Sequence, residues 1–384
     1  MIVAAAALLL GGIWLGGHPE SLPDPIRDAF VTDDRGLRAE LQDAIEEDFY
    51  KQVDDSQLEQ GSLKGIVQSL DDRFSNYLTP EETEQFQQSV QGRFEGVGMN
   101  VDRDKRGLRV LNVFEDSPAE RAGIAKGDFI TEVDGRSIAG LSAEVASARI
   151  KGPAGSRVAL QVVDPETFRP RTLKLRRKRI QVPVATGRIV ERDGRKLGVV
   201  ELATFSEGAH GRLRQEIDEL LEAGAEGIAL DLRGNGGGLL QEAVLVGSIF
   251  IEDGVIVSTK GRTKAERKYD AAGGAIDADL PVVVLVDRGT ASAAEIVAGA
   301  IKERKRGTVV GTRTFGKGVF QEVQPLSNGG LLDITVGQYY LPNGENIGNK
   351  GVRPTVRARD DGDTVRDEAL PVALDALAEK ASGR

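Results

Sequence analysis

No cysteine occurs anywhere in the 384 residues. That absence excludes disulfides, thiol nucleophiles and thiolate metal sites together. Histidine occurs only as His18 and His210, with no H-E-x-x-H, so a zinc peptidase site has almost no ligands to draw on. Positive charge is also short. Fifty Lys+Arg against 60 Asp+Glu leave a formal charge of −10, which argues against a nucleic-acid partner, since that needs a basic face. Two basic runs stand against the trend. "RPRTLKLRRKRI" (169–180) alternates as a strand does and reads as a solvated strand face. "KERKR" (302–306) falls where a helix should end, and cations there complement the helix dipole. The first 17 residues, by contrast, carry no charge at all. At ~1.5 Å per residue they reach about 25 Å, marginal for a bilayer, and no positive flank precedes them. A buried helix is the bland explanation. A membrane anchor or signal-like segment fits a chain start better and places the remainder outside the cytoplasm, in the cell envelope or secreted.

Glycine is plentiful, at 47 residues, beside 14 prolines and 40% hydrophobic residues. The length exceeds one ordinary core and suggests two or three domains. After a Pro-rich joint, "LRAELQDAIEEDFYKQV" and "LKGIVQSLDDRF" show three- and four-residue apolar spacing, which predicts helices. Thr79, Pro80 and the acidic residues after them open another helix over 79–90. From 93 to 180 short strand-like runs alternate with turn signals and two helical pieces, 117–123 and 141–152. From 195 onward strand, loop and helix repeat. The apolar runs "KLGVVELATF", "GIALDLR" and "LPVVVLVDRGT" predict a covered, largely parallel sheet, which "TVVGT" and "LLDITVGQYYL" extend. A last helix, "RDEALPVALDALAEKA", carries its proline in the second turn. No internal repeat is visible.

Four places could carry chemistry. Ser292 follows the strand "PVVVLVD" and opens an Ala-rich helix, at the strand end where open α/β sheets place their sites. Helix N-terminal N–H groups there could stabilise an oxyanion. Yet Ser292-Ala-Ala-Glu295 also matches a capping box, and the local sequence favours the cap. Lys317, in "TFGKGVFQ", reads either as a solvated strand lysine or as a buried amine kept neutral as a general base. Its flanking glycines let another backbone or a ligand come close. Gln321 would share its face and could hold the amine without adding charge. "LDLRGNGGGLL" (230–240) could cradle phosphate or expose N–H groups as an oxyanion hole; it lacks the G-K-[ST] ending of a phosphate loop, and Leu239 breaks G-x-G-x-x-G. His210, at the start of an amphipathic helix, reads as a surface residue first and a Ser-His partner second.

From about 45 to 375 these segments resemble, in order, the carboxyl-terminal processing (tail-specific) serine peptidases. The matching blocks are "GSLKGIVQSLDDRFSNYLTPEE", "FEGVGMNV", "SPAERAGIAKGDFITEVDG", "LDLRGNGGGLLQEAV", "ASAAEIVAGAI", "GTRTFGKGVFQ", "YYLPNGENI" and "KGVRPTV". The resemblance implies an α/β multidomain protein, which with the uncharged anchor or signal-like segment 1–17 divides into an N-terminal helical region 18–92, PDZ domain 93–180, α/β protease core 181–358, and C-terminal helix and tail 359–384. It implies that Ser292 is the nucleophile, Lys317 the general base and Gln321 its orienting partner. Gly237 or Gly238 with the Ala293 N–H would form the oxyanion hole. No metal or cofactor is implied. The family often has proline where this chain has Gly236, and serines at Thr290, Ala291 and Ala294. Residues 94–98, with Phe94, Gly96, Val97 and Gly98, can form a nest of N–H groups for a substrate's C-terminal carboxylate, the next strand pairing with the incoming peptide. The resemblance further implies that the PDZ domain gates the active site, a basic residue near Lys151 contacting the protease body. Substrates would be proteins or peptides bound by their tails. A silent PDZ scaffold and a Ser-His hydrolase using His210 stay open as rivals, as do a homo-oligomer and an activating partner.

Overall fold

A computed structural model describes residues 33–383, apart from 52, 92, 115, 142, 182 and 361–366. The apolar segment 1–17 and His18 therefore lie outside the described residues. Among the described residues no helix is long and apolar enough to cross a membrane.

The chain divides after Thr79. The first unit holds α1 (Asp33–Asp48), α2 (Asp55–Gln68) and β1 (Asn76–Leu78). Asp54 caps α2, its carboxylate accepting from the Ser56 N–H at 2.9 Å. In the second unit α3 (Pro80–Val90) starts on a proline followed by Glu81 and Glu82, where a missing N–H and negative charge are both tolerated.

A strand module follows: β2 (Arg93–Gly96), β3 (Met99–Asp104), β4 (Gly107–Val113), α4 (Pro118–Arg121), β5 (Phe129–Val133), β6 (Arg136–Ser137), α5 (Ala143–Ile150), β7 (Arg157–Val163), β8 (Pro170–Arg176) and β9 (Lys178–Gln181). The order is β3-β4-β5-β7-β8 with β6 on β5, while β9 pairs with β2. Leu108, Ile130, Ile138, Leu160 and Val162 are wholly buried between sheet and helices. The basic run is two strands rather than one. It breaks at Arg177, whose guanidinium turns to donate to the carbonyls of Ile150 (2.8 Å) and Arg157 (2.9 Å).

The remaining elements are β10 (Ala185–Arg192), β11 (Arg195–Leu202), α6 (Ala209–Glu222), β12 (Ile228–Asp231), α7 (Leu240–Phe250), β13 (Val255–Lys260), β14 (Arg267–Asp270), β15 (Val282–Val286), α8 (Ala293–Glu303), β16 (Thr308–Gly311), β17 (Val319–Pro325), β18 (Leu331–Tyr340), β19 (Val356–Arg357) and α9 (Ala369–Ser382). Strands order as β10-β11-β12-β15-β16-β19, parallel except for β10. Alternate residues serve opposite layers. Val200, Leu202, Ile228, Leu230, Val282 and Val284 pack with Leu213 of α6, Val246 of α7 and Val297 of α8. Leu197, Val199, Ala229, Val283 and Leu285 pack with Ala373, Leu374 and Leu377 of α9. Each such fully buried Val, Leu or Ile contributes roughly 1.5–3 kcal/mol of transfer free energy. Both faces are covered, which is why residues 228–230 and 282–286 are apolar without a break.

Two expectations change. "TVVGT" does extend this sheet as β16, but β18 does not. It forms a hairpin with β17 and pairs on its other side with β13, which pairs with β14, all antiparallel. A strand committed to a hairpin and a second antiparallel neighbour has no edge left for the parallel sheet. Pro371 lies in the first turn of α9, since the helix starts at Ala369, and there proline costs no hydrogen bond. "KERKR" does fall at a helix end: α8 stops at Glu303 with Lys302 in its last turn, and beyond it the Arg306 guanidinium donates to the carbonyls of Phe250, Asp277 and Leu280, each at 2.9 Å.

Candidate active site

The loop between β15 and α8 is stitched down before it reaches Ser292. Thr290 Oγ1 donates to the Leu232 carbonyl at 2.7 Å, and the Ala291 N–H donates to the Asn235 carbonyl at 2.9 Å. Ser292 then takes φ 55°, ψ −120° at the N-cap of α8. A side-chain-bearing residue rarely adopts that conformation, which costs roughly 1–3 kcal/mol and is kept at functional sites. The capping relation is real as well. Glu295 reaches back, accepting from the Ser292 N–H at 3.0 Å.

Glu295 is fully buried and does more than cap. Its Oε1 accepts from Thr314 Oγ1 (2.5 Å) and the Gly316 N–H (2.7 Å), and its Oε2 also accepts from the Lys317 N–H (2.9 Å). Burial pushes its carboxyl above the usual range, and these donors pull back against it.

Lys317 sits in the loop before β17, not in the strand, and is half-buried. Its flanking glycines serve a backbone. A Cβ on Gly316 (φ 88°) would lie 2.9 Å from the Gly351 nitrogen, and one on Gly318 2.4 Å from the Gly348 nitrogen. Asn346 Nδ2 donates to the Gly318 carbonyl at 2.6 Å and the Tyr339 carbonyl at 2.7 Å. The Tyr339 hydroxyl donates to the Lys317 carbonyl. Burial, then the nearby Glu295 charge, hold that phenol well above its ordinary pKa, so it stays a donor. A bulge between Phe320 and Gln321 interrupts simple alternation, and Gln321 Nε2 donates to Thr335 Oγ1 at 3.1 Å.

The glycine-rich turn packs on the serine. A Cβ on Gly237 (φ 100°) would lie 2.8 Å from Ser292 Cβ and 2.9 Å from the Ala293 nitrogen. Its N–H is already engaged, donating to Asn235 Oδ1 at 2.8 Å, so Gly237 supplies close approach and is not a free oxyanion donor. Gly238 (φ 145°) lies beside Phe205, in a parallel bridge.

Ser292, Ala293, Lys317, Gln321 and residues 236–238 line one cavity of about 610 Å³, walled by Phe86, Val90, Leu240, Tyr269, Ile296 and Phe320. His210 is not among its lining residues. The His210 Nδ1 instead lies 2.8 Å from buried Glu242, which also accepts the N–H groups of Gly208 and His210 at 2.9 Å each. Gly96, Val97, Gly98, Met99, Ile150 and Lys151 line a smaller groove of about 180 Å³ beside α5. Phe94 is opposite Ile180 in the β2–β9 pair. Behind the glycine turn Arg233 bridges Asp231 (2.6 Å), Asp360 (3.1 Å) and Asp367 (2.8 Å), tying the start of α9 to the sheet. Burial works against its charge, but Asp367 and Asp231 more than offset that. Asn235, Tyr339 and the wider reach of Glu295 escape a sequence reading; their only signals are an Asn set among glycines and a Glu three residues after Ser292.

Residues 196–358 match the model of peptidase family S41, 109–164 match a PDZ domain, and 38–83 match the activating protease CtpB N-terminal domain. The carboxy-terminal processing protease CtpA of Bacillus subtilis is 35% identical over 314 residues, 82% of this chain and 66% of that protein. A carboxy-terminal-processing protease of Bartonella bacilliformis is 35% identical over 308 residues, 79% of this chain and 70% of the other. The chain thus spans about two thirds of the length of these relatives. Among solved structures, the photosystem II D1 C-terminal processing protease superposes with a TM-score of 0.59 at 30% identity, covering 91% of this chain and 99% of its own.

Proposed function

This chain belongs to peptidase family S41, the carboxy-terminal processing serine proteases, and on that premise we propose that it is a Ser-Lys endopeptidase that selects substrates by their C-terminal tails. The observation that carries the reading is the convergence of Ser292 and Lys317, from separate segments of the core, on one cavity. A substrate tail docks in the groove beside α5, with its carboxylate at residues 96–98. Neutral Lys317 takes the proton from Ser292 Oγ as that oxygen attacks the scissile carbonyl carbon. The N–H groups of Ala293 and Gly238 hold the resulting oxyanion, and Gln321 orients the amine. The lysine returns its proton to the leaving amine, giving an acyl-enzyme ester. Water then attacks the ester, passes a proton through Lys317 back to Ser292 Oγ, and releases the new C-terminus. The uncharged segment 1–17 anchors or exports the chain, so this chemistry takes place outside the cytoplasm.

The test is cleavage of a C-terminally tagged protein substrate. Ser292→Ala and Lys317→Ala should each abolish turnover while the chain stays folded; wild-type turnover in either variant removes the mechanism. The N-terminal placement is tested separately, by recovering the full chain with membranes or in a secreted fraction. Recovery with the cytosol rejects it.

A further inference from the structure

No step above uses Glu295, yet both reacting residues hang from it. Its Oε2 takes the Ser292 N–H at 3.0 Å and the Lys317 N–H at 2.9 Å, while Oε1 takes the Thr314 hydroxyl and the Gly316 N–H. We propose that Glu295 is a positioning residue: one buried carboxylate oxygen fixes the backbone of the nucleophile to the backbone of the base, and so sets the approach of the lysine amine to the serine hydroxyl. This rests on the Ser292–Lys317 reading above.

A helix cap does not account for the arrangement. Capping requires only the bond from the Ser292 N–H. The other three donors come from 314–317, a segment held otherwise by the loop 349–352, by the Tyr339 hydroxyl on the Lys317 carbonyl and by its own Phe315 N–H on the Thr290 carbonyl at 3.0 Å. The Ser292 loop has further anchors of its own in Leu232 and Asn235. The Phe315–Thr290 bond also ties the two pieces of chain, but it engages neither reacting residue; Glu295 Oε2 holds the backbone N–H groups of Ser292 and Lys317 themselves. An ionised carboxylate has four lone-pair sites, and four donors fill them. Glutamine in its place would keep one acceptor oxygen and turn an amide N–H₂ towards donors, so one of the two pairs of bonds has to open. Either piece then drifts, and sub-ångström drift between nucleophile and base is felt as rate rather than as binding.

The experiment uses the full chain and a C-terminally tagged substrate, comparing wild type, Glu295→Gln and Ser292→Ala, with thermal unfolding alongside. Glu295→Gln should fold and should lower kcat roughly 100-fold while KM stays within about threefold. A loss confined to KM, or a loss that only tracks the unfolded fraction, overturns the proposal. A variant that does not fold overturns it too, because it assigns Glu295 to the core. Residual activity in Ser292→Ala would sink the underlying reading instead. An inert Ser292→Ala beside a Glu295→Gln of wild-type kcat sinks the positioning role alone.

Discussion

Two neighbouring glycines should respond oppositely to alanine. Gly237 has φ 100°, where an L side chain is strained by roughly 1–2 kcal/mol. Its Cβ would also meet the Ala291 carbonyl oxygen and Ser292 Cβ at 2.8 Å, with the Ala293 nitrogen at 2.9 Å. Two of these three atoms are backbone, so the neighbours have to move, at about 1–3 kcal/mol for overpacking. Gly237→Ala should therefore cost about 2–5 kcal/mol in urea unfolding, and displacement of the serine should cut kcat about 100-fold. Gly236 is outside the positive-φ region and a Cβ there has nothing within 4 Å. Gly236→Ala should leave stability unchanged or raise it by up to about 1 kcal/mol through the unfolded chain. Parallel unfolding curves and a tagged-substrate assay decide the matter. Equal stabilities for the two variants, or wild-type kcat in Gly237→Ala, would refute the packing of this turn against the nucleophile.

Gln321→Glu places a carboxylate near the Lys317 amine and favours its ammonium form, so the acid limb of kcat/KM should move to higher pH; an unmoved limb would remove Gln321 from the lysine's surroundings. Arg233→Gln leaves the part-buried carboxylates Asp231, Asp360 and Asp367 without their shared cation and should cost roughly 3–5 kcal/mol. Burial pushes the Asp367 carboxyl up, but Arg233 and the Leu370 N–H hold it below its ordinary value. Its contribution is present above the unfolded value of about 3.9 and is lost as pH falls through the folded one. Wild type should thus lose stability in acid more steeply than Arg233→Gln, which urea midpoints across the acid range would show. His210→Ala should leave kcat within about twofold, because the ring is engaged with Glu242 rather than the cavity; a large loss would revive a Ser-His site.

The central sheet was legible because β15 is apolar at every position and β12 at all but its last, Asp231, a pattern only a covered strand tolerates. Ser292 was legible from its place between such a strand and a helix. Its strained backbone was not, since serine carries no signal for φ 55°. The second sheet was misread because pairing between β13 and β18, some eighty positions apart, depends on where the chain returns and not on the composition of either strand. The glycines around Lys317 signalled close approach, but not that the visitor is the backbone at 348–351. Gly237 looked like a donor until Asn235, two residues earlier, was found using its N–H. Hydrogen bonds between residues twenty positions apart, such as those meeting at Glu295, leave no local periodicity to read.

Because successive residues of β11, β12 and β15 plug into opposite layers, these strands are far stricter about length than about identity. Exchanging valine, isoleucine and leucine disturbs only volume. Inserting or deleting one position between Ile228 and Asp231 would invert every plug beyond it, offering residues cut for the three-helix side to the lone helix opposite, and would swing the glycine turn off the serine as well. Diverging copies of this chain should therefore gather their gaps in the outlying loops and keep these strands at constant length, however freely the letters within them change.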